Sequence, residues 1–165
     1  MSNSNQNTEG GRGKGKYAVI AAVLLVVLCG GGLAVTGVIA AVAIPNFISM
    51  QSRAKRSEVS VNVSGIRMAL QAYYAELDVY VSAPATPRDV TALTSELVSW
   101  QQGSPFDTLG WAPDGMVRGT YEIQLVGSDD FIVHGWSDVD GDGVPSHYTA
   151  TKSIDTVMVT PDSVY

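Results

Sequence analysis

The strongest constraint on this chain is a run of 36 residues, Tyr17–Ser52, that contains no aspartate, glutamate, lysine or arginine. Within this run, Tyr17–Ile44 is almost wholly apolar or glycine, and Thr36 is its only polar side chain. About 20 apolar residues are enough for a helix to span a bilayer. We therefore expect Tyr17–Ile44 to be a retained transmembrane helix.

Two alternatives for this segment stay open. A cleaved secretory signal would use the small residues of Ala41-Val42-Ala43, although the apolar core before them is longer than the core of a typical signal. Lipidation would use Cys29, although Leu28 stands where a small residue is expected. Cys29 is the single cysteine of the chain, which excludes an intrachain disulfide and a cysteine-based zinc site.

The charges are divided along the chain. Residues 1–56 carry six basic side chains and one acidic side chain, whereas residues 57–165 carry four basic and fifteen acidic ones. An acidic domain argues against a nucleic-acid partner, because phosphate binding needs clustered lysine and arginine. The basic residues flank the apolar segment like membrane-surface anchors, with Arg12, Lys14 and Lys16 on one side and Arg53, Lys55 and Arg56 on the other.

These patterns predict four regions. Residues 1–16 are polar and glycine-rich, so we expect a disordered cytoplasmic tail, followed by the transmembrane helix 17–44. Residues 45–80 form an amphipathic continuation of the helix after Pro45, and residues 81–165 form a globular head. The continuation is predicted from apolar residues at alternating intervals of four and three, which make one helical stripe: Val59, Val63, Ile66, Leu70, Tyr73, Leu77 and Tyr80.

The head is predicted to be mainly a small antiparallel sheet. Val81–Pro87 reads as a linker, and Thr86-Pro87 reads as the start of a short helix that ends near Val98. Trp100, Trp111 and Trp136 are expected in the core under the helix. Strand-like runs separated by short turns predict a meander with an edge strand at its end: Val117–Val126, Asp130–Ser137, Val144–Lys152 and Thr156–Thr160. The fold class is therefore α+β.

One acidic motif points to a metal. The sequence DVDGDG, Asp138–Gly143, places carboxylates at alternate residues with glycine for a sharp turn, as calcium loops do. We predict a calcium site with Asp138, Asp140, Asp142 and Ser146 as ligands. Thr149 stands at the twelfth position, where a complete EF-hand has a bidentate acid, so a full EF-hand is excluded. The alternative is an acidic β-turn, because Asp-Gly is a strong hairpin signal.

The sequence offers little for catalysis. It has no nucleophile elbow, no HExxH and no phosphate-binding loop. His134 and His147 flank the acidic turn on adjacent predicted strands, so a His/Asp metal or hydrolytic site is a further alternative. We expect a protein that is not an enzyme and for which no small-molecule substrate is evident.

A longer stretch resembles a known family. The sequence GVIAAVAIPNF at Gly37–Phe47 continues through a basic patch into an amphipathic helix that ends in aromatic residues. It resembles the N-terminal helix of type IV pilins and pseudopilins. Shorter fragments resemble the globular part of pilin-like fimbrial proteins: LGWAPDG (Leu109–Gly115), RGTYE (Arg118–Glu122), DVDGDG (Asp138–Gly143) and YTATK (Tyr148–Lys152).

The chain departs from that family at the prepilin-peptidase site. Pilins have a glycine, then an N-methylated aromatic residue, then a glutamate a few residues later. Alignment on Gly37 and Pro45 puts Val23, Leu24 and Leu28 at these three positions. The site is therefore degenerate, and the glutamate that helps to dock a subunit into a growing filament is missing.

The resemblance implies a pilin-like fold, in which a long N-terminal helix packs on a small antiparallel β-meander. It implies a structural subunit or minor component of a type IV pilus or secretion-type filament, with other pilin-like subunits as partners through the N-terminal helix. The expected location is the bacterial inner membrane, single-pass, with the N-terminus cytoplasmic and the head periplasmic, or a surface filament. The alternative is a non-assembling, membrane-anchored binding module that binds calcium or another ligand.

Overall fold

The computed structural model describes the backbone of residues 12–165 and the side chains of residues 17–27, 37 and 40–165. The chain divides into two compact units, residues 1–48 and residues 49–165. Helix α1 spans Arg12–Leu77 and contributes to both units, with Pro45 inside it. Helix α1 thus begins inside the predicted tail 1–16. Residues 1–11 of that tail lie outside the described residues.

The predicted membrane span Tyr17–Ile44 is helical, but its side chains at positions 28–36 and 38–39 lie outside the described residues. In the part of the chain that is described, no helix has an apolar stretch long enough to cross a bilayer.

The second unit contains the amphipathic part of α1, and its predicted stripe is confirmed over three turns. Val59, Val63, Ile66 and Leu70 are completely buried. The buried stripe also reaches back to two polar residues, Ser52 and Arg56, at the same spacing of four and three. Burial of each large apolar side chain is worth about 1.5–3 kcal/mol, so this stripe contributes much of the attachment of the helix to the sheet.

The prediction is wrong for the last turn of the stripe. Helix α1 ends at Leu77, three residues before the predicted end, and the Leu77 side chain is exposed. Asp78 adopts a positive φ of 57°, a conformation that aspartate tolerates better than most residues, and its N–H donates to the carbonyl of Tyr74 at 2.8 Å. The chain then turns so that Tyr80 enters the core and stacks on Tyr74 with ring centroids 4.4 Å apart.

The head contains seven β-strands in the described part of the chain: β1 Ala83–Thr86, β2 Val98–Ser99, β3 Met116–Val117, β4 Thr120–Val126, β5 Asp130–Ser137, β6 Ser146–Thr151 and β7 Val157–Met158. They form a five-stranded antiparallel sheet in the order β1-β4-β5-β6-β7 and a separate two-stranded sheet, β2-β3. The predicted meander is confirmed for β4, β5, β6 and β7, which pair in sequence order. Buried and half-buried residues alternate along β5, so one face of the sheet covers α1 and the other is open.

The predictions of a linker and of a short helix after α1 are wrong. Ala83–Thr86 is strand β1, which pairs with β4 at the edge of the sheet. An edge strand tolerates Pro84, because one side of such a strand makes no ladder hydrogen bonds. The segment predicted as helix contains only the 3₁₀ turn Val90–Ala92, whose start is capped by the carboxylate of Asp89. A second 3₁₀ helix, Pro105–Leu109, follows β2.

The helix and the sheet meet most closely at Gly135, in the middle of β5. A Cβ atom at this position would collide with a methyl group of Val63 and would lie 2.7 Å from a methyl group of Val59. Real Cβ contacts are longer than this, so only glycine fits here without displacement of the helix. Gly135 therefore sets the distance between α1 and the sheet.

Candidate assembly surface and metal-binding loop

The first unit presents an apolar helical surface. In the described stretch Tyr17–Val27, the large apolar side chains are between 55% and 74% exposed. Val19, Ala22, Val23, Val26 and Val27 line a shallow groove whose lining is entirely apolar, and their spacing places them on one side of α1. A helix with such a surface is stable only when lipid or other protein covers it. We refer to these five residues as the apolar groove.

Arg56 does not serve as a predicted membrane-surface anchor, because its side chain is buried, whereas the anchor role of Arg53 and Lys55 stays a prediction. Arg56 is 5% exposed, and its guanidinium donates to the carboxylate of Asp162 at 2.5 Å and to the carbonyls of Asp162 and Val164. Arg53 pairs with the same carboxylate at 3.0 Å. The hydrogen bond from Arg56 and the charge of Arg53 lower the pKa of Asp162. These two arginines tie α1 to the C-terminal segment of the chain.

The C-terminal segment in turn supports the acidic loop. The carbonyl of Tyr165 accepts a hydrogen bond of 3.0 Å from the N–H of Val139, and the Tyr165 ring lies 5.2 Å from the guanidinium of Arg56. Sequence patterns miss this arrangement because Arg56 lies more than 100 positions from its partners in the C-terminal segment. The only local signal is that Arg56 falls on the apolar stripe of α1.

The acidic loop brings its three carboxylates together. Asp138, Asp140 and Asp142 each offer an oxygen within 4.8 Å of the others. Oxygen ligands of one Ca²⁺ ion lie at most about 5 Å apart, because each is about 2.3–2.6 Å from the ion. Burial and the neighbouring carboxylates of Asp142 and Asp138 raise the pKa of Asp140. A bound cation would offset this repulsion.

One of these carboxylates, that of Asp138, also stabilises the shape of the loop through hydrogen bonds. Asp138 is buried, and its two oxygens accept hydrogen bonds from the N–H groups of Gly141 at 2.7 Å and Gly143 at 3.0 Å. Both glycines have positive φ angles, which allow the sharp turn. The hydroxyl of Ser146, at the start of β6, is buried and donates to the carbonyl of Ser137 at 2.9 Å. The role of Ser146 as a calcium ligand stays a prediction.

The tryptophans divide between the two faces of the sheet. Trp100 and Trp111 pack against the core with Phe106 and Tyr121, as predicted. The placement of Trp136 under the helix is wrong. It is half-buried and stacks on His134 and His147, on the face of the sheet opposite α1. Successive side chains along β5 point to opposite faces of the sheet. Gly135 and Ser137, the buried neighbours of Trp136, face α1, so Trp136 faces away from it.

Comparison with known proteins gives one partial similarity. Over 48 residues the chain is 42% identical to the type IV major pilin protein PilA of Myxococcus xanthus strain DK1622. Over that segment the chain is similar to a type IV pilin. The match covers 29% of this chain and 22% of that pilin, so the chain spans less than a quarter of the length of the relative it matches. No family model matches the chain, and no solved structure matches it.

The α+β head, in which residues 49–77 of α1 pack on an antiparallel sheet, is consistent with the pilin-like fold that the sequence resemblance implies.

Proposed function

We propose that this protein is a subunit of a type IV pilus, as a minor component or as part of a related secretion-type filament. The observation that carries this proposal is the exposed apolar groove of α1, because such a surface needs other apolar helices or lipid around it. The partial identity to a major pilin supports the same assignment. Before assembly, the apolar helix anchors the protein in the inner membrane, with its N-terminus cytoplasmic and its head periplasmic.

The sequence at the processing site favours a minor role. Val23, Leu24 and Leu28 stand where the pilin pattern has glycine, a methylated aromatic residue and glutamate. Without that glutamate, a subunit has no buried carboxylate to guide its docking. We propose that this subunit joins the filament through apolar helix packing alone, which suits a component present in few copies.

Fractionation of surface fibres tests the proposal. Fibres sheared from cells that produce this protein at its natural level should contain it together with the other pilins. A membrane-anchored binding module that does not assemble would stay in the membrane fraction after the same shearing. Recovery in the membrane fraction alone would reject the filament assignment.

A second candidate function is calcium binding in the head. The convergence of Asp138, Asp140 and Asp142 within 4.8 Å favours it. Calcium sites in extracellular modules have dissociation constants on the order of 0.1–1 mM. The ion would bind in the loop between β5 and β6. The N–H of Val139 in this loop donates a hydrogen bond to the carbonyl of Tyr165. Calcium would thus stiffen the end of the head where the last residues of the chain meet α1.

Calcium at 10 mM is expected to raise the melting temperature of the head by about 4 °C. A ligand at ten times its dissociation constant stabilises the native state by about 1.4 kcal/mol. The D140N/D142N variant should lose this shift, whereas Asp114→Asn removes an exposed charge elsewhere and should keep it. Asp138 is left unchanged because it shapes the loop. An equal calcium response in wild type and D140N/D142N would contradict the site.

A further inference from the structure

Two histidines meet on the open face of the sheet, away from α1. His134 on β5 and His147 on β6 are diagonal neighbours, because His134 pairs with Thr149 and His147 pairs with Trp136. Nδ1 of His134 lies 3.0 Å from Nε2 of His147, so one ring donates a hydrogen bond to the other. Both side chains are half-buried.

The indole of Trp136 fixes this pair. Its ring is within 9° of parallel to both imidazoles, with centroid distances of 5.2 Å to His134 and 4.8 Å to His147. The imidazole rings are themselves within 18° of parallel. Stacking on a rigid indole restricts the rotamers of both histidines, so their nitrogens are held close together before any ligand arrives.

The spacing of the two nitrogens matches the bite of a metal ion. Transition metals bind imidazole nitrogen at about 2.0–2.1 Å, and two such bonds in neighbouring positions place the nitrogens about 2.9–3.4 Å apart. The observed 3.0 Å falls in this range. Small rotations of the two rings would turn their lone pairs from each other toward a shared ion.

We propose that His134 and His147 form a binding site for a divalent transition-metal ion that prefers imidazole ligands, with Cu²⁺ bound most tightly. The order of affinity for nitrogen ligands places Cu²⁺ above Ni²⁺ and Zn²⁺. Binding breaks the hydrogen bond between the rings. The proton of that bond moves, by exchange with solvent, to the other nitrogen of its own ring, so that both imidazoles stay neutral. Water fills the remaining coordination positions.

Burial of the pair favours neutral imidazoles, the form that binds metal. Burial lowers the pKa of His134, and burial and the neighbouring His134 lower the pKa of His147 to about 4. Glu122 on β4 lies directly opposite His134 in the register, and its charge acts in the opposite direction on the pKa of His134. The same negative charge would attract a metal ion to the pair.

This site differs in chemistry from the acidic loop. The loop offers three carboxylates, which suit a hard ion such as Ca²⁺, whereas the histidine pair offers two nitrogens, which suit Cu²⁺. The proposal therefore does not depend on calcium binding or on filament assembly. Each site can be removed without substitution of a ligand of the other.

Titration of the full chain in detergent with Cu²⁺ tests the proposal, with tryptophan fluorescence as one signal and calorimetry as another. A copper ion at the pair would lie beside the indole of Trp136 and quench its emission. We expect saturable binding of one ion, weakened at least about tenfold in His134→Gln and in His147→Gln, since even the loss of a supporting group costs about 10–100-fold at metal sites. Asp114→Asn, which removes an exposed carboxylate elsewhere in the head, should bind Cu²⁺ as wild type does.

Two further measurements keep the test independent of folding. Thermal melts identify any variant that does not fold. If His134→Gln does not fold, His147→Gln is used instead, and the reverse. Electron paramagnetic resonance of the Cu²⁺ complex should show two nitrogen donors in wild type and one in a single variant. Equal Cu²⁺ affinity in wild type and the H134Q/H147Q variant, or a spectrum with oxygen donors only, would overturn the proposal.

Discussion

Replacement of Gly135 by alanine is expected to destabilise the head by about 3 kcal/mol and to lower its melting temperature on the order of 10 °C. The new Cβ would collide with a methyl group of Val63 and approach a methyl group of Val59 to 2.7 Å. Valine is stiff at χ1, and both valines are completely buried in the helical stripe, so neither can move aside. Urea or thermal unfolding of the full chain in detergent measures the loss.

Two comparisons separate this collision from a general effect of the substitution. Gly37→Ala places a Cβ on α1 where nothing lies within 4 Å, so head stability should be unchanged. Val63→Ala should cost less in the Gly135→Ala background than in wild type, with a coupling of about 1 kcal/mol or more, because it removes the colliding methyl groups. Additive effects of the two substitutions would show that Gly135 does not set the distance between α1 and the sheet.

Val26→Asp is expected to reduce the amount of this protein in sheared fibres by a factor on the order of 100. Val26 lies in the apolar groove and is 69% exposed, so aspartate displaces no packed side chain of the chain itself. A carboxylate at the centre of an apolar helix costs about 2.5–3.5 kcal/mol when lipid or apolar protein surrounds it, and each 1.4 kcal/mol is a factor of ten. Quantitative immunoblots of the fibre fraction measure the loss.

Val26→Leu is the matched control, because it keeps the position apolar and should leave incorporation unchanged. The amount of Val26→Asp protein in the whole cell should stay close to that of wild type, and this separates exclusion from degradation. Normal incorporation of Val26→Asp into fibres would mean that the apolar groove faces water in the filament, against the proposed role of α1.

Much of the fold could be predicted because local periodicity determined it. The four-and-three spacing from Val59 to Leu70 identified the buried face of α1, and a strand-like run between short turns identified β5 with its bounds. The errors arose where distant residues decide the structure. Strand β1 forms because β4 offers it an edge, and Arg56 is buried because the C-terminal segment supplies its acceptors. In neither case can the distant partner be read from a local pattern.

In the candidate sites too, contacts between residues close in sequence could be predicted, and contacts between distant residues could not. The three aspartates converge because they are close in sequence, so the motif alone was enough to find them. The histidine pair was visible only as two residues on adjacent predicted strands. Its 3.0 Å contact depends on the register of β5 against β6, and a register is not readable from either strand alone. Trp136 was placed on the wrong face because large aromatic residues were expected in the core, whereas the strand alternation places it outside.

The most direct test of the proposed function is intact-mass spectrometry of fibres sheared from cells that produce this protein at its natural level. A pilus subunit should be present in these fibres together with the other pilins, and its mass should identify the residue at which the assembled chain begins. Absence from the fibres, with the protein found instead in the membrane fraction of the same cells, would contradict the assignment as a filament subunit.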